Sequence, residues 1–446
     1  MTRPLASASA SPPLRFRPLV RNQMSFRGDS LEQLLPPDHP VRALWQLIDE
    51  WDLTVFLASM KSFVGAPGAP SFDPRVLLAL WIQATLDGYG SARELEDLCR
   101  KHLVYRWICG DEPVNYHTLA DFRSSRAAEI DALLTQIVAV ACQSGLATIE
   151  HVSQDGVRVR ANAGSKSYRR EKTLTDHLAE ATKQVEALKS QAEEDDGAAN
   201  RRAKAAKERA AKERVDRLTQ AKAELEKLTK ANEERAADSQ TRGKAKDPAK
   251  LRVSMTDPEA RRIPMAGGSY RPAYNVQFAT TVTGGIIVGV NATNEANDHS
   301  QTEPMVEQIR KRTGQRPKAM TLDAGYTSRD VIERLAKDEV LVYCPVKDEA
   351  KAKAIGRDPF VGRTRDKPEV AAWRVRMGTE EGKAIYKLRA QTAEWANAQC
   401  RNRGLQQLRL RGLKKVKLEA MWHALTHNID RLLASRRSKP NGADVP

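Results

Sequence analysis

The feature that most limits how this chain can fold is a change of apolar period at residue 148, followed by a long polar interruption before the new period returns. Up to about residue 142 the apolar positions recur at helical spacing, behind readable start signals. Asp73-Pro74 supplies an N-cap and a proline at the first helical position, and Val76, Leu77, Leu80 and Trp81 then form one face. Ser91 and Glu94 make a capping box ahead of Leu95, Leu98, Cys99 and His102. The segment Asn115 to Arg126 buries Leu119 and Phe122 and leaves Arg123 and Arg126 free. Two short helices with a turn between them read either as a DNA-contacting helix-turn-helix or as plain packing and dimerisation.

From Thr148 to Arg160 apolar and polar residues alternate, which predicts a strand carrying Asp155. The pattern then stops. Between Ser167 and about Lys250 the chain is rich in Lys, Ala, Glu and Arg, with Leu174, Leu178, Val185 and Leu188, and again Val215, Leu218, Leu225 and Leu228, at helical spacing. These are the two arms of an antiparallel coiled-coil hairpin, broken near Asp195-Asp-Gly197. Strand patterning resumes at Tyr274, Val276, Phe278 and Thr280, turns at Thr283-Gly-Gly285, and continues through Ile286 to Val290. A helix around Gln301 to Lys311, a strand from Ala319 to Asp323, a helix capped by Ser328 and a strand from Val340 to Cys344 follow. An α/β sheet with mixed strand directions accounts for this order. The expected division is a disordered basic arm (1–24), an all-α domain for DNA binding or dimerisation (25–145), a discontinuous α/β domain (146–166 with 251–435), the helical insertion (167–250) and a disordered tail (436–446).

The chain has 446 residues and a formal net charge of +16, with 73 Lys and Arg against 57 Asp and Glu, so a polyanion is the expected partner. The longest strongly apolar stretch, Val76 to Leu86, is too short to cross a bilayer, which takes about 20 residues. No membrane partner is expected. The five cysteines, Cys99, Cys109, Cys142, Cys344 and Cys400, form no CxxC pair and read as reduced thiols of a cytoplasmic protein.

Three acids stand out against this background. Asp155 lies in the first strand, and Asp323 ends another, where Gly325 lets the backbone turn sharply behind it. If the two strands are adjacent and central, both carboxylates reach one sheet edge. On a late amphipathic helix, at about 100° per residue and with Tyr386 as zero, Arg389 falls near about −60°, Glu394 near about +80° and Arg401 near about +60°, all on one side. Three such carboxylates suit a pair of divalent cations, which serve in-line displacement at phosphorus, and the flanking arginines suit phosphates. His423 and His427 share the i,i+4 spacing of zinc ligands but lack a third ligand. They accompany the apolar stripe of Leu418, Met421, Leu425, Ile429 and Leu432, which is core.

Several marks recur in one order along the chain: Phe26-Arg-Gly-Asp with Leu34-Leu-Pro-Pro-Asp-His-Pro40, Asp155-Gly-Val-Arg, and Thr256-Asp-Pro258 followed by Tyr274-Asn-Val-Gln277. Leu322-Asp-Ala-Gly-Tyr326, Asn402-Arg-Gly-Leu405, Arg411-Gly-Leu-Lys-Lys-Val416 and His427-Asn428 complete them. Over roughly residues 25 to 435 the chain resembles bacterial insertion-sequence transposases of the DDE class, with an InsH-like helical N-terminal domain and an RNase H-like catalytic core. The resemblance implies that Asp155, Asp323 and Glu394 bind two Mg²⁺ ions, with Mn²⁺ able to substitute, and that the family's Tyr, Arg, Glu, Lys signature falls on Tyr386, Arg389, Glu394 and Arg401. Four residues separate Arg389 from Glu394, one more than in the tightest form of that signature. Arg401 stands where lysine is usual, and the run Trp395-Ala-Asn-Ala-Gln399 is atypical. The implied activity is binding of terminal inverted repeats, DNA cleavage and strand transfer, by at least a dimer on DNA in the bacterial cytoplasm, in association with the nucleoid. Two alternatives remain: a structure-selective nuclease with the same metal site, which flanking inverted repeats would argue against, and a non-catalytic DNA-binding scaffold or decayed transposase, which would bind DNA with strong salt dependence and cut nothing.

Overall fold

The computed structural model describes residues 15, 17–19, 21 and 30–438, apart from 61, 66, 68, 191–197, 239–242, 244, 327 and 348, with the backbone alone for 198–202. The Phe26–Asp29 mark, the break at Asp195–Gly197, most of the basic arm and the tail from 439 lie outside the described residues. The described part of the arm is packed on the helices. Arg17 pairs with Glu112 at 2.5 Å, and the Arg21 guanidinium lies 3.7 Å from the centre of the Trp45 ring.

Seven helices come first: α1 (Pro40–Asp49), α2 (Thr54–Ala58), α3 (Pro74–Leu86), α4 (Ala92–Lys101), α5 (Leu103–Cys109), α6 (Tyr116–Ser125) and α7 (Ala127–Gln143). The Asp73 carboxylate caps α3 by accepting from the Arg75 N–H at 2.8 Å, with Pro74 at the first helical position. Apolar residues surround α3 on nearly every side, so it is the central helix of this layer. Ser91 caps α4 and Asn115 caps α6, by accepting from the N–H groups of Glu94 and Thr118. The helices α4 and α6 pack together, with α5 between them in sequence.

The strands β1 (His151–Arg160), β4 (Arg261–Pro264), β5 (Tyr270–Thr281), β6 (Ile287–Thr293), β7 (Ala319–Thr321) and β8 (Leu341–Tyr343) form one sheet, and β2 (Tyr168–Arg169) pairs separately with β3 (Val253–Ser254). In the sheet, β4 and β6 share one edge of β5, and β1, β7 and β8 follow in order beyond it. β1 runs antiparallel to β5 and parallel to β7, the mixed order of an RNase H-like core. Between β2 and β3 the chain leaves the sheet through α8 (Glu171–Ser190) and α9 (Ala198–Ala237). These helices are antiparallel: Arg214 reaches Gln184 and Glu180, while Glu208 lies close to Lys189. They share a small core of Leu174, Ala181, Leu218, Ala221 and Leu225 with Val253, separate from the main core.

After β6 come α10 (Thr302–Thr313), α11 (Arg329–Lys337), α12 (Glu349–Ala354), α13 (Pro368–Gly378), α14 (Glu380–Arg389), α15 (Trp395–Asn402) and α16 (Leu413–Ser438). The last of these joins the helical layer to the sheet, packing on α7, α3 and β6. Asn428 acts like an extra strand residue: its amide accepts from the Ile287 N–H and donates to the Ile287 carbonyl, both at 2.8 Å. His427 bonds the Gly285 carbonyl at 2.8 Å and Arg431 that of Gly284 at 2.9 Å. Gly284 has φ of +79°, and a side chain there would also collide with the Leu146 backbone, so the turn requires glycine. The helix runs through Ser438, past the expected start of the tail at 436, and Arg436 pairs with Glu50 at 2.6 Å.

Burial holds the His427 imidazole down to about 4 and that of His423 to about 3, so both are neutral in the fold. The unfolded chain binds these protons below about 6.5, so their contribution to stability is full above that value and is lost as pH falls toward 4. The denaturation midpoint of the wild type is therefore expected to fall more steeply over this window than that of His427→Gln. Equal slopes would contradict the assignment.

Candidate active site

The parallel register of β1 with β7 pairs Ser153 with Thr321, where β7 ends two residues short of the expected Asp323, so Asp155, two residues further along β1, and Asp323, two residues past the end of β7, emerge level. Asp155 is mostly enclosed. Its Oδ1 accepts from Arg389 at 3.0 Å and its Oδ2 from the Asn397 amide at 2.9 Å. Arg389 turns its other nitrogen to Glu394 Oε1 at 2.5 Å, so one guanidinium joins carboxylates from β1 and from the late helix. Burial pushes the Asp155 carboxyl up, against the opposing pull of Arg389, the Gly156 N–H and Asn397. Burial would lower Arg389, but Asp155, Asp323, Tyr386 and Glu394 together outweigh it and hold it firmly charged. Asp323 is exposed at the strand tip, and its Oδ1 accepts from the Ala324 N–H at 2.6 Å. Tyr386 is half-buried and shifted up by burial, with Asp323 and Glu394 adding to the shift against Arg389.

Glu394 is the fifth residue on from Arg389, and a uniform α-helix would turn the two about 140° apart. They meet because Ala390–Glu394 forms a π turn between α14 and α15, in which i→i+5 bonding stacks residues five apart. The wheel drawn at a constant angle is corrected accordingly, and the extra residue of the signature is the one the π turn absorbs. Thr392, buried in this turn, donates to Ser153 Oγ on β1 at 2.8 Å and fixes the turn to the strand. Arg401 stays exposed, and among the described residues it makes no ion pair.

The opposite face of β1 carries a second set of polar groups. Asp298 Oδ1 accepts from Asn275 at 2.7 Å and from Gln277 at 2.6 Å, and Gln277 accepts from the Tyr326 hydroxyl and from Gln154. This set ties the residue before Asp155 to the loop after Asp323. A Cβ on residue 156 would come within 2.5 to 2.8 Å of Gln277, Asn275 and Asp298, which is why glycine follows the acid. Sequence reasoning misses both Asp298 and Asn397. The signal for Asn397 lies in the atypical run after Glu394, whereas Asp298 sits in a polar loop with nothing to mark it.

Arg123 requires a correction: it is buried, donates to the Gly90 carbonyl, pairs with buried Glu419 at 2.7 Å and stacks on Trp81. It supports the junction of α6 and α16 and is closed to DNA. Arg126 is half-buried, bonded to Ser59 and paired with Glu129 at 3.0 Å. Among the described residues no group of three or more His, Cys, Asp or Glu side chains is arranged to hold a metal ion. The donor chemistry nevertheless fits a hard divalent cation: carboxylate oxygens already surround a positive group, and the Asn397 Oδ1 beside Asp155 is buried without a partner.

Two family models match the chain, the Transposase domain (DUF772) over residues 29–125 and the Transposase DDE domain over residues 230–429. Together they cover well over half of it, and the chain belongs to the insertion-sequence DDE transposases. No curated protein and no solved structure matches it. The first match spans α1 to α6, and the second begins near the end of α9, so β1 with Asp155 precedes it and joins its sheet only in three dimensions.

If the π turn only absorbs one inserted residue, deleting Gln391, which is exposed, should leave a continuous α-helix with Arg389 and the glutamate now four residues on still stacked. The deleted protein is expected to melt cooperatively within a few degrees of the parent. A collapse of cooperative unfolding would show that the turn itself is needed.

Proposed function

We propose that this transposase binds the terminal inverted repeats of its own element, cleaves DNA at the element ends and joins those ends to a target. Asp155, Asp323 and Glu394 would hold divalent cations, Mg²⁺ or in its place Mn²⁺. The observation that carries the reading is the meeting of Asp155 and Glu394, from segments 239 residues apart, on the Arg389 guanidinium, with the charge of Asp323 acting on the same group. A cation pair so held supplies an activated attacking oxygen and a stabilised leaving oxygen. The protein's own groups do the rest. Arg389 neutralises the acids in the absence of DNA, and its fork suits a phosphate once the acids are otherwise engaged. Arg401, exposed on α15, would bind a neighbouring phosphate, to which a guanidinium offers two donors in place of a lysine's point charge. Tyr386 borders the same space. Asn397 holds the Asp155 carboxylate in orientation, and the Asp298 set fixes the two acid-bearing segments from behind.

Synapsis of two element ends calls for at least a dimer on DNA. Purified protein with element-end DNA and Mg²⁺ or Mn²⁺ should cleave and join. Asp155→Ala, Asp323→Ala and Glu394→Ala should each cut the rate by at least about a hundredfold, equivalent to about 2.7 kcal/mol of barrier. Cleavage that persists in all three variants refutes the triad. Cleavage without joining marks a nuclease, and salt-sensitive binding with no cleavage under either metal marks a passive binder.

A further inference from the structure

We propose that the cleft between the base of the α8–α9 hairpin and β4 is a binding site for the sugar–phosphate backbone of DNA flanking the cleavage point, an inference that rests on the transposase reading above. The cleft has a volume of about 490 Å³. Arg170, Arg235, Lys246, Lys250, Arg252 and Arg262 line it and are exposed, and half-buried Arg261 joins them. No acidic residue lines it, although cations and acids are interspersed through the chain at 73 to 57. Three of the acids nearby are already engaged. Glu224 is buried beneath Arg261 and pairs with it at 2.6 Å and with Lys227 at 2.7 Å, and Asp257 accepts from the Tyr274 hydroxyl and the Gly412 N–H. Asp247 lies 3.7 Å from Lys250 and accepts from the Ala249 N–H at 3.0 Å. Among the described residues no carboxylate pairs with Arg170, Arg252 or Arg262.

The floor is Tyr168, Leu228 and Leu251, an apolar base on which arginine stems can lie with their charged ends toward the solvent. Asn232 makes this base rigid by bonding both the N–H and the carbonyl of Lys246 at 2.7 Å. Concentrated positive charge over a fixed concave surface is what a backbone of regularly spaced phosphates requires.

Its position relative to the acids supports a flanking role. Arg261 and Arg262 are in register with Ala273 and Pro272 of β5, while Asp155 is in register with Phe278. Five to six residues along the strands and two strands across amount to on the order of 20 Å. At about 3.4 Å per nucleotide of a duplex strand, DNA cut at Asp155 reaches the cleft within roughly six nucleotides. The hairpin would thus serve as the second wall of a DNA track whose first wall is the sheet.

The test is the full chain carrying Arg170→Gln, Arg252→Gln and Arg262→Gln together, titrated against a mixed-sequence DNA duplex over a range of salt. Removing one phosphate-neutralising cation should flatten the slope of log affinity against log salt by about 0.9, so the triple variant should flatten it by about 2.7. A control with Lys101→Gln, Lys311→Gln and Lys337→Gln removes the same charge from exposed positions elsewhere and should keep most of the slope. A triple variant indistinguishable from wild type, or one matched by the control, overturns the cleft while leaving the transposase reading intact. A wild type that binds no DNA overturns both.

Discussion

One guanidinium shared by two carboxylates organises the candidate site. Arg389 bonds Asp155 at 3.0 Å and Glu394 at 2.5 Å, and it can do so only while a strand at the centre of the sheet and a helix 239 residues later hold a fixed spacing. Asp155 is enclosed, so an unpaired charge there would be costly, and the cation that offsets it must come from outside the strand. The interactions around the pair serve this spacing. Thr392 pins the π turn to Ser153, Asn397 holds the second oxygen of Asp155, and the amides of Asn275 and Gln277 with Asp298 brace the opposite face of β1.

Much of this is legible in the sequence where the pattern is local. Alternation from Thr148 to Arg160 locates the strand of Asp155, and the run from Ala319 with Gly325 beyond it locates the loop of Asp323. The level placement of the two acids follows from a parallel register that the sequence alone does not state. A helical wheel puts Glu394 on the right helix but assumes a uniform turn, and the π turn is the reason the actual pairing differs from the wheel. Arg123 reads as free in the sequence because its partner, Glu419, lies 296 residues away, so a cation on a polar helix face gives no sign of being buried.

The recurring marks outside the acids have structural reasons that letters do not show. Asp257 accepts from the Tyr274 hydroxyl at 2.7 Å and from the Gly412 N–H at 3.2 Å, which cross-links three of them. His427 and Asn428 clamp α16 onto the β5–β6 turn, and Asn275 and Gln277 act through Asp298. The insertion of α8 and α9 separates β1 from the rest of the sheet in sequence, which explains a family match that starts beyond Asp155 although the acid stands at the middle of the matched fold. No helix among the described residues is long and apolar enough to cross a membrane, and the charge balance favours a polyanion throughout.

The central claim is that Asp155 and Glu394 exchange the Arg389 guanidinium for a divalent cation. Electron paramagnetic resonance of Mn²⁺ titrated into the DNA-free protein reads this without any turnover. Specific Mn²⁺ binding that weakens in Asp155→Asn and in Glu394→Gln, and strengthens in Arg389→Ala, is the predicted result. Binding equal in all four proteins would contradict the account.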